Sequence, residues 1–506
     1  MSRRAGAKDG QESVPSRAPA YRHRTLGMVG SAVTAAGGLL AGVTPLGEIA
    51  IDLPLVRHLR GSTTLSVFVV YLGLSMLLLA WWRVGAAVRA PGGPSRRELA
   101  TTAAWWGAPF ALITPIFSGD VHSYLAQGAM TTAGLDAYRV GPSALGGPLT
   151  VNVPEIWQHT PAPYGPVFLK LAAAVAGVTD GGVWAGIVGM RVLALLGVGL
   201  LVWSVPRLAG LCGVRPEAAL WLGVLNPLTL LHLIGDAHNE AMMLGLMCVG
   251  LLLALRRRPA LGIVVITLAA LVKAPAALAI AFVVPIWAQQ LDGRRRRLRA
   301  AHRTLVVAAG TALTVTALAG TGFGWVRALG TPTRAHTWMS VTTDLGWAAG
   351  TLLHRLGGVR VESTIQAFWL VGLAVAAGVS VALWRRAGRN GPVAALGLCL
   401  GAVVVSGPVV HPWYLLWAVL PLAAAARRTA IRRTVAIGSV ALVLLVLPGG
   451  VQPGGHALLG AVLGSLTVSV VAAVCTRLTR PRVWSRLADE PAGYEGPAVA
   501  HVRAAP

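Results

Sequence analysis

Four polar islands interrupt an otherwise apolar sequence, and each carries side chains able to do acid–base or anion chemistry. The first is Phe117-Ser118-Gly119-Asp120-Val121-His122-Ser123-Tyr124. A carboxylate at the edge of an apolar run, beside a Gly and a His, can accept a proton from a hydroxyl. Asp is equally favoured as a helix N-cap, and that alternative stands beside the catalytic one. The second island is Asn226-Pro227-Leu228 followed by Gly235-Asp236-Ala237-His238-Asn239-Glu240. Ionisable groups between strongly apolar segments are rare and usually functional, and Asp236 and Glu240 share a face if one helix runs through both. A polar hairpin capping two helices is the alternative. A His/Asp/Glu metal site is disfavoured, because three ligands so close along the chain often cannot converge. The third island is Lys273, flanked by apolar residues and followed by Ala274-Pro275. It is one of three lysines, against an abundance of arginines. A compact ammonium suits a phosphate, and Arg191 within another apolar run is a second candidate cation, whereas Lys170 at a helix edge can snorkel. The fourth island, Ser406-Gly407-Pro408-Val409-Val410-His411-Pro412-Trp413-Tyr414, sets a His between prolines in a rigid turn. Trp413 and Tyr414 beside it suit a sugar ring or an interfacial belt.

The segments that must position these islands are membrane spans. Apolar residue types make up 55% of the 506 residues and charged types only 12%, about half the charged share of soluble chains. That excludes a soluble multidomain enzyme. The balance of 43 Lys+Arg against 18 Asp+Glu gives +25, but the cations fall in clusters between apolar runs, as positive-inside topology requires, so no nucleic acid is expected. The four scattered cysteines have neither metal-ligand nor disulfide spacing.

Apolar segments fall near 25–45, 62–82, 98–117, 166–179, 184–205, 218–234, 239–255, 259–291, 304–322, 364–384, 392–410, 412–426, 433–448 and 457–476. The segment 259–291 exceeds one span and has arginines at both ends, so it is read as a hairpin turning at Lys273-Ala274-Pro275. The total is about 13–15 segments in an all-α polytopic bundle. The first, following an Arg-rich stretch with no cleavage site, is read as a retained span. Residues 1–24 and 485–506 read as disordered cytoplasmic tails around a membrane domain at 25–484. Arginine clusters at 83–97, 256–258, 294–303, 385–389, 427–433 and 477–486 are expected in the cytoplasm. Residues 46–61, 118–165, 323–345 and 407–412 then face outward, and 118–165, rich in Tyr, Trp and Pro, is read as an ordered catalytic loop. This assignment needs an odd number of crossings between 118–165 and 256–258, where four segments stand, so 166–179 is read as peripheral or half-inserted.

Taken in order, several stretches resemble the actinobacterial polyprenol-phosphate-mannose-dependent α-1,6-mannosyltransferases, membrane glycosyltransferases of the GT-C fold. They are Gly119-Asp120-Val121-His122-Ser123-Tyr124-Leu125-Ala126-Gln127-Gly128, Gly134-Leu135-Asp136-Ala137-Tyr138 and Thr160-Pro161-Ala162-Pro163-Tyr164-Gly165-Pro166. Asn226-Pro227-Leu228, Ala237-His238-Asn239-Glu240, Val272-Lys273-Ala274-Pro275 and Gly407-Pro408-Val409-Val410-His411-Pro412-Trp413-Tyr414 complete the set. The departures are a lone Asp120 where GT-C first loops commonly pair two carboxylates, Glu240 where the family has Asp, and Asp136 where it has Asn.

The resemblance implies a GT-C-like bundle with a large first extracytoplasmic loop. It implies transfer of mannose from polyprenyl-phosphate-mannose to a growing α-1,6-mannan (a lipomannan or lipoglycan core) on the outer face of the cell membrane, with inversion. Asp120 is then the expected base. Lys273, Arg191 and His411 are the expected cations for the donor phosphate. Substrate contacts are expected from His122, Tyr124, Tyr138, Tyr164, Asp236, His238, Asn239, Glu240, Trp413 and Tyr414. No metal or other cofactor is expected, a divalent cation being the alternative. Two other functions share these features: a GT-C transferase of another polyprenol-phosphate sugar such as arabinose, and a flippase or transporter of a lipid-linked sugar.

Overall fold

The computed structural model describes residues 18–45, 54–331 and 337–479, and among them every regular element is a helix. The expected C-terminal tail lies outside these residues, as do positions 1–17 of the expected N-terminal one. The first helix, α1 (Ala18–Ala41), opens inside the remainder. It packs on α2 (Thr63–Arg89), where the Gly73 backbone meets that of Thr34. The next helix, α3 (Arg96–Ala111), starts at a capping box: Ser95 Oγ accepts the Glu98 amide and the Glu98 carboxylate accepts the Ser95 amide. Two reciprocal bonds of this kind satisfy helix-end donors that would otherwise lack partners.

The functional region follows. It comprises α4 (Asp120–Thr132), α5 (Pro166–Val178), α6 (Val183–Cys212), a bent pair α7 (Pro216–Val224) and α8 (Thr229–Gly235), α9 (Glu240–Leu255), α10 (Pro259–Val272) and α11 (Ala277–Ala288). The bend between α7 and α8 is 60°. It is held by Asn226, whose amide donates to Leu222 O and Ser439 Oγ and whose Oδ1 accepts the Leu228 amide. Pro227 cannot supply a helical N–H there.

The remaining long helices are α12 (Arg296–Ala319), α13 (Val341–Gly357), α14 (Val361–Arg385), α15 (Pro392–Ser406), α16 (Leu415–Ala425), α17 (Thr429–Leu445) and α18 (Gly455–Thr479). Among the described residues, five helices are long and apolar enough to cross a membrane, six if the bent pair counts as one span, and six shorter apolar helices have 10–17 residues. A bilayer core needs about 20 helical residues, so the shorter helices reach only part of the way or are completed by breaks. The chain is an all-helical polytopic membrane protein.

Two sequence expectations meet the structure directly. Gln290 Nε2 donates to Ala254 O at 2.9 Å, which returns the end of α11 to the end of α9. Residues 259–291 are therefore a hairpin with Lys273 at its apex. The second concerns segment 166–179. The amide of Gly165 donates to Val272 O at that apex. From there α5 leads away for 13 residues, and α6 comes back beside it, Gly189 against Val175. With 13 residues, α5 is shorter than the roughly 20 that a bilayer core needs, and it forms a second hairpin with α6. One expectation is corrected. The connection 323–345, expected to face outward, is not all loop, because α13 begins within it, capped where Ser340 Oγ accepts the Thr343 amide at 3.2 Å. Its mixed Thr, Asp, His and Arg content hid it from a reading by apolar runs.

Candidate active site

Four chain breaks meet at one end of α9. They are the start of α4, the α8–α9 turn, the α10–α11 apex and the turn before α16. Each is a place where helical hydrogen bonding stops, so each frees polar groups in otherwise apolar surroundings.

Asp236 organises the meeting point. Its Oδ1 accepts the amides of Ile116 and Phe117 at 2.9 and 3.0 Å, and its Oδ2 lies 2.9 Å from His232 Nδ1. Arg191 serves the same region from the other direction, donating to the carbonyls of Ala111, Ile113, Ile234 and Gly235. Arg191 thus satisfies carbonyls at the ends of α3 and α8, and Asp236 ties the segment between α3 and α4 to the end of α8. Two assignments change as a consequence. Arg191, expected to hold a phosphate, has its guanidinium committed to four backbone carbonyls. Asp236, expected to bind substrate, is fully buried with both oxygens engaged.

Ala237 adopts φ +54°, a left-handed conformation costing a non-glycine residue roughly 1–2 kcal/mol. That turn aims His238 back at α4. His238 Nδ1 lies 3.1 Å from the Tyr124 hydroxyl, 3.6 Å from Asp120 Oδ2 and 3.8 Å from Glu240 Oε2. Its ring stacks on Trp413 at 4.0 Å, and His411 stacks on Trp413 at 4.5 Å. Lys273 Nζ donates to Glu240 Oε1 and is walled by the rings of Tyr414 at 5.0 Å, Tyr164 at 5.6 Å and Trp417 at 6.0 Å. Asp120, Tyr124, Tyr164, His238, Glu240, Lys273, His411, Trp413 and Tyr414 therefore form one cluster.

Asp120 differs from the other acids of the cluster. Its side chain is 16% exposed, whereas those of Glu240 and Asp236 are fully buried. It is not the helix cap either: Gly119 holds that position without any side-chain bond, and Ser118 Oγ accepts the Asp120 amide. Burial raises the Asp120 carboxyl to about 6, with the nearby Lys273 ammonium opposing and the Glu240 carboxylate reinforcing that rise. A carboxyl that ionises near neutrality and faces an opening can exchange a proton with a bound hydroxyl.

Three expected residues lie apart from the cluster. Tyr138 belongs to a separate apolar group with Met130, Ala162, Leu169 and Ala328. His122 is buried on α4, and burial lowers its imidazole to about 4, so it is neutral. Asn239 borders a void of about 10 Å³ lined by Phe168, Met190 and Met242, room for one water.

Sequence reasoning missed His232 and Trp417. Their signals were present, since His232 precedes Asp236 by four residues and Trp417 stacks on Tyr414 at 4.3 Å one turn later. The structure also overturns the argument that acid and imidazole ligands here cannot converge. His232, Asp236 and His238 each offer one ligand atom within 4.8 Å of the others. Asp236 Oδ2 has one contact, to His232 Nδ1, and the Nε2 atoms of His232 and His238 have no hydrogen-bond partner, so these are the atoms that could face an ion.

Comparison with known proteins adds chemistry to this geometry. A family model described as "Alpha-(1->6)-mannopyranosyltransferase, N-terminal domain" matches residues 24–289, and one described as "MptB C-terminal domain" matches 342–478. The chain is 36% identical to alpha-(1->6)-mannopyranosyltransferase B of Corynebacterium glutamicum, covering 84% of this chain and 77% of the relative. It is 37% identical to alpha-(1->6)-mannopyranosyltransferase A of Mycobacterium tuberculosis, covering 81% of each. A relative from Mycolicibacterium smegmatis, named "Probable alpha-(1->6)-mannopyranosyltransferase", is 34% identical over 93% of this chain and 90% of its own length.

Proposed function

Because the chain belongs to the alpha-(1->6)-mannopyranosyltransferase family, we propose that it transfers mannose from polyprenyl-phosphate-mannose to a growing α-1,6-mannan, a lipomannan or lipoglycan core, on the outer face of the cell membrane. That it is a membrane mannosyltransferase follows from the family and the apolar helices. Donor, acceptor, face and mechanism are the proposal.

The observation that carries it is a partly exposed Asp120 near a buried ammonium, Lys273, inside a wall of Tyr164, Tyr414 and Trp417, with Trp413 edge-on to Tyr414. The aromatic rings suit a sugar and an isoprenoid, and the ammonium suits a phosphate. In the proposed step the acceptor hydroxyl oxygen attacks the mannosyl C1 and its proton passes to Asp120. The bond from C1 to the phosphate oxygen breaks, and its electron pair leaves with the lipid phosphate. Attack opposite a β-linked phosphate gives the α-linked product. Lys273 has three donors and uses one on Glu240, which leaves two for the departing phosphate; His411, expected as a further cation, is held down to about 3 by burial and by the Lys273 ammonium and so is neutral.

The test is turnover of the purified full chain with lipid-linked phosphomannose and an α-mannoside. Release of lipid phosphate matched by elongated mannoside is expected. Turnover with polyprenyl-phosphate arabinose alone would replace the donor, and movement of the lipid without chemistry would replace the enzyme by a flippase.

Three further results are expected. Cysteines introduced into 118–165 or 407–412 react with an impermeant reagent in intact cells, and one at position 295 does not, because the arginine clusters hold that end inside. Labelling at 295 would invert the topology.

Protonated Asp120 cannot act as base, so kcat/KM should rise about tenfold per pH unit below a pKa of about 6 and then level off. A flat profile between pH 5 and 8 would remove Asp120 from this role. Turnover should also survive chelation, since the Lys273 ammonium can neutralise the departing phosphate without an ion. Its loss in chelator, with recovery on adding zinc, manganese or magnesium, would assign an ion to His232, Asp236 and His238.

A further inference from the structure

At the end of the α10–α11 hairpin away from Lys273, a cleft of about 460 Å³ lies between the α9–α10 turn and the end of α11. Its lining includes Arg257, Arg258, Leu261, Trp287 and Gln290. With 14 residues in α10, this cleft is about 21 Å from the catalytic cluster, at the other end of the hairpin. Its composition is lopsided. From residue 256 to 303 the sequence has nine arginines and a single carboxylate, Asp292. Among the described residues, no carboxylate pairs with Arg256, Arg257 or Arg258, and all three are exposed.

Arg257 is also in an unusual place. The Arg258 amide donates to Leu253 O, which closes α9 through a residue at φ +63°, and that residue is Arg257. Glycine is favoured in such a position because it has no Cβ to clash. An arginine here holds a guanidinium at the cleft at a local conformational cost. Beside it, Trp287 is 8% exposed and has the Arg303 guanidinium 6.0 Å over its ring. Leu261, 46% exposed, opens the cleft toward the apolar side.

We propose that this cleft binds the phosphate headgroup of an acidic phospholipid. Arg257 and Arg258 pair with the phosphate oxygens, and Trp287 and Leu261 pack against the glycerol and the first acyl carbons. A basic pocket between spans meets an anionic lipid leaflet in this manner. Phosphate is the chemistry recognised, and the apolar wall at Leu261 selects the lipid as its source over the free ion. The site lies outside the catalytic cluster and does not depend on which sugar is transferred.

The test uses the full chain in nanodiscs of phosphatidylcholine with increasing phosphatidylglycerol, with thermal stability as the readout. R257G/R258Q removes both guanidinia, and glycine suits φ +63°, so in neutral lipid this variant should melt no lower than wild type. R295Q/R297Q removes the same charge from outside the cleft. Phosphatidylglycerol is expected to stabilise the wild type with a saturating midpoint. That midpoint should weaken by about 10- to 30-fold in R257G/R258Q and by no more than about twofold in R295Q/R297Q. Equal weakening in both variants would mean diffuse charge and overturn the site, as would an unchanged midpoint in R257G/R258Q. Stabilisation of the wild type by inorganic phosphate equal to that by phosphatidylglycerol would overturn the lipid as ligand.

Discussion

Asp120→Asn lowers turnover by about 10²- to 10⁴-fold, the usual contribution of a general base, while donor binding and the fold persist. The substitution keeps the shape of the side chain and removes only its ability to take a proton. Helix α4 does not depend on the carboxylate for its cap, because Gly119 holds the cap position and Ser118 accepts the Asp120 amide. The loss to the helix is limited to the charge–dipole term at its first turn, about 0.3–1 kcal/mol. Initial rates with lipid-linked phosphomannose, alongside donor affinity measured separately, check this result. The controls have different expected outcomes. Asp236→Asn weakens the joint between the α3–α4 segment and α8, since Asp236 accepts the Ile116 and Phe117 amides and pairs with His232, so its defect should be thermal. Near-wild-type turnover in Asp120→Asn, with Glu240→Gln inactive yet stable, would move the base to Glu240. Unfolding of Asp120→Asn would return Asp120 to a structural role.

Lys273→Met destabilises the chain by about 3–5 kcal/mol, because it leaves the Glu240 carboxylate buried without its partner. The ammonium lies at a break in the hairpin, where Lys273 is extended at φ −151° between α10 and the following turn. Its surroundings are aromatic rings, which cannot compensate a lone carboxylate. Adding Glu240→Gln to Lys273→Met removes the unpaired charge, so the double variant should recover most of the lost stability. Turnover should not recover with it, because the departing phosphate still lacks its cation. The comparison separates a packing role from a catalytic one through melting temperature and kcat. If the double variant were both stable and active, Lys273 would be a structural ion-pair partner alone.

The membrane architecture was legible because apolar runs of span length have one solvent that accepts them, and arginine clusters mark their ends. The hairpin apex at Lys273 was readable for the same reason: a run too long for one span, with arginines at both ends, must turn where its polar residue and proline stand. Helix α13 was not, because its polar content breaks the apolar run even though Gly346 and Gly350 pack it closely on Ile365 and Val361. The cluster of Asp120, His238, Glu240, Lys273 and Trp413 was visible as residue types in four separate islands. Their meeting depends on where α4, the α8–α9 turn, the hairpin apex and the turn before α16 fall in space. Sequence spacing sets which groups share one helical face, but it carries no information about which helix end lies opposite. For that reason Arg191 and Asp236 read as ligands: Arg191 binds carbonyls at the ends of α3 and α8 and Asp236 binds two amides between α3 and α4, partners that leave no trace in side-chain identity. The role of each charge was set by whichever unsatisfied backbone group or opposite charge the packing brought within reach. In an apolar interior such a group cannot remain unpaired at small cost.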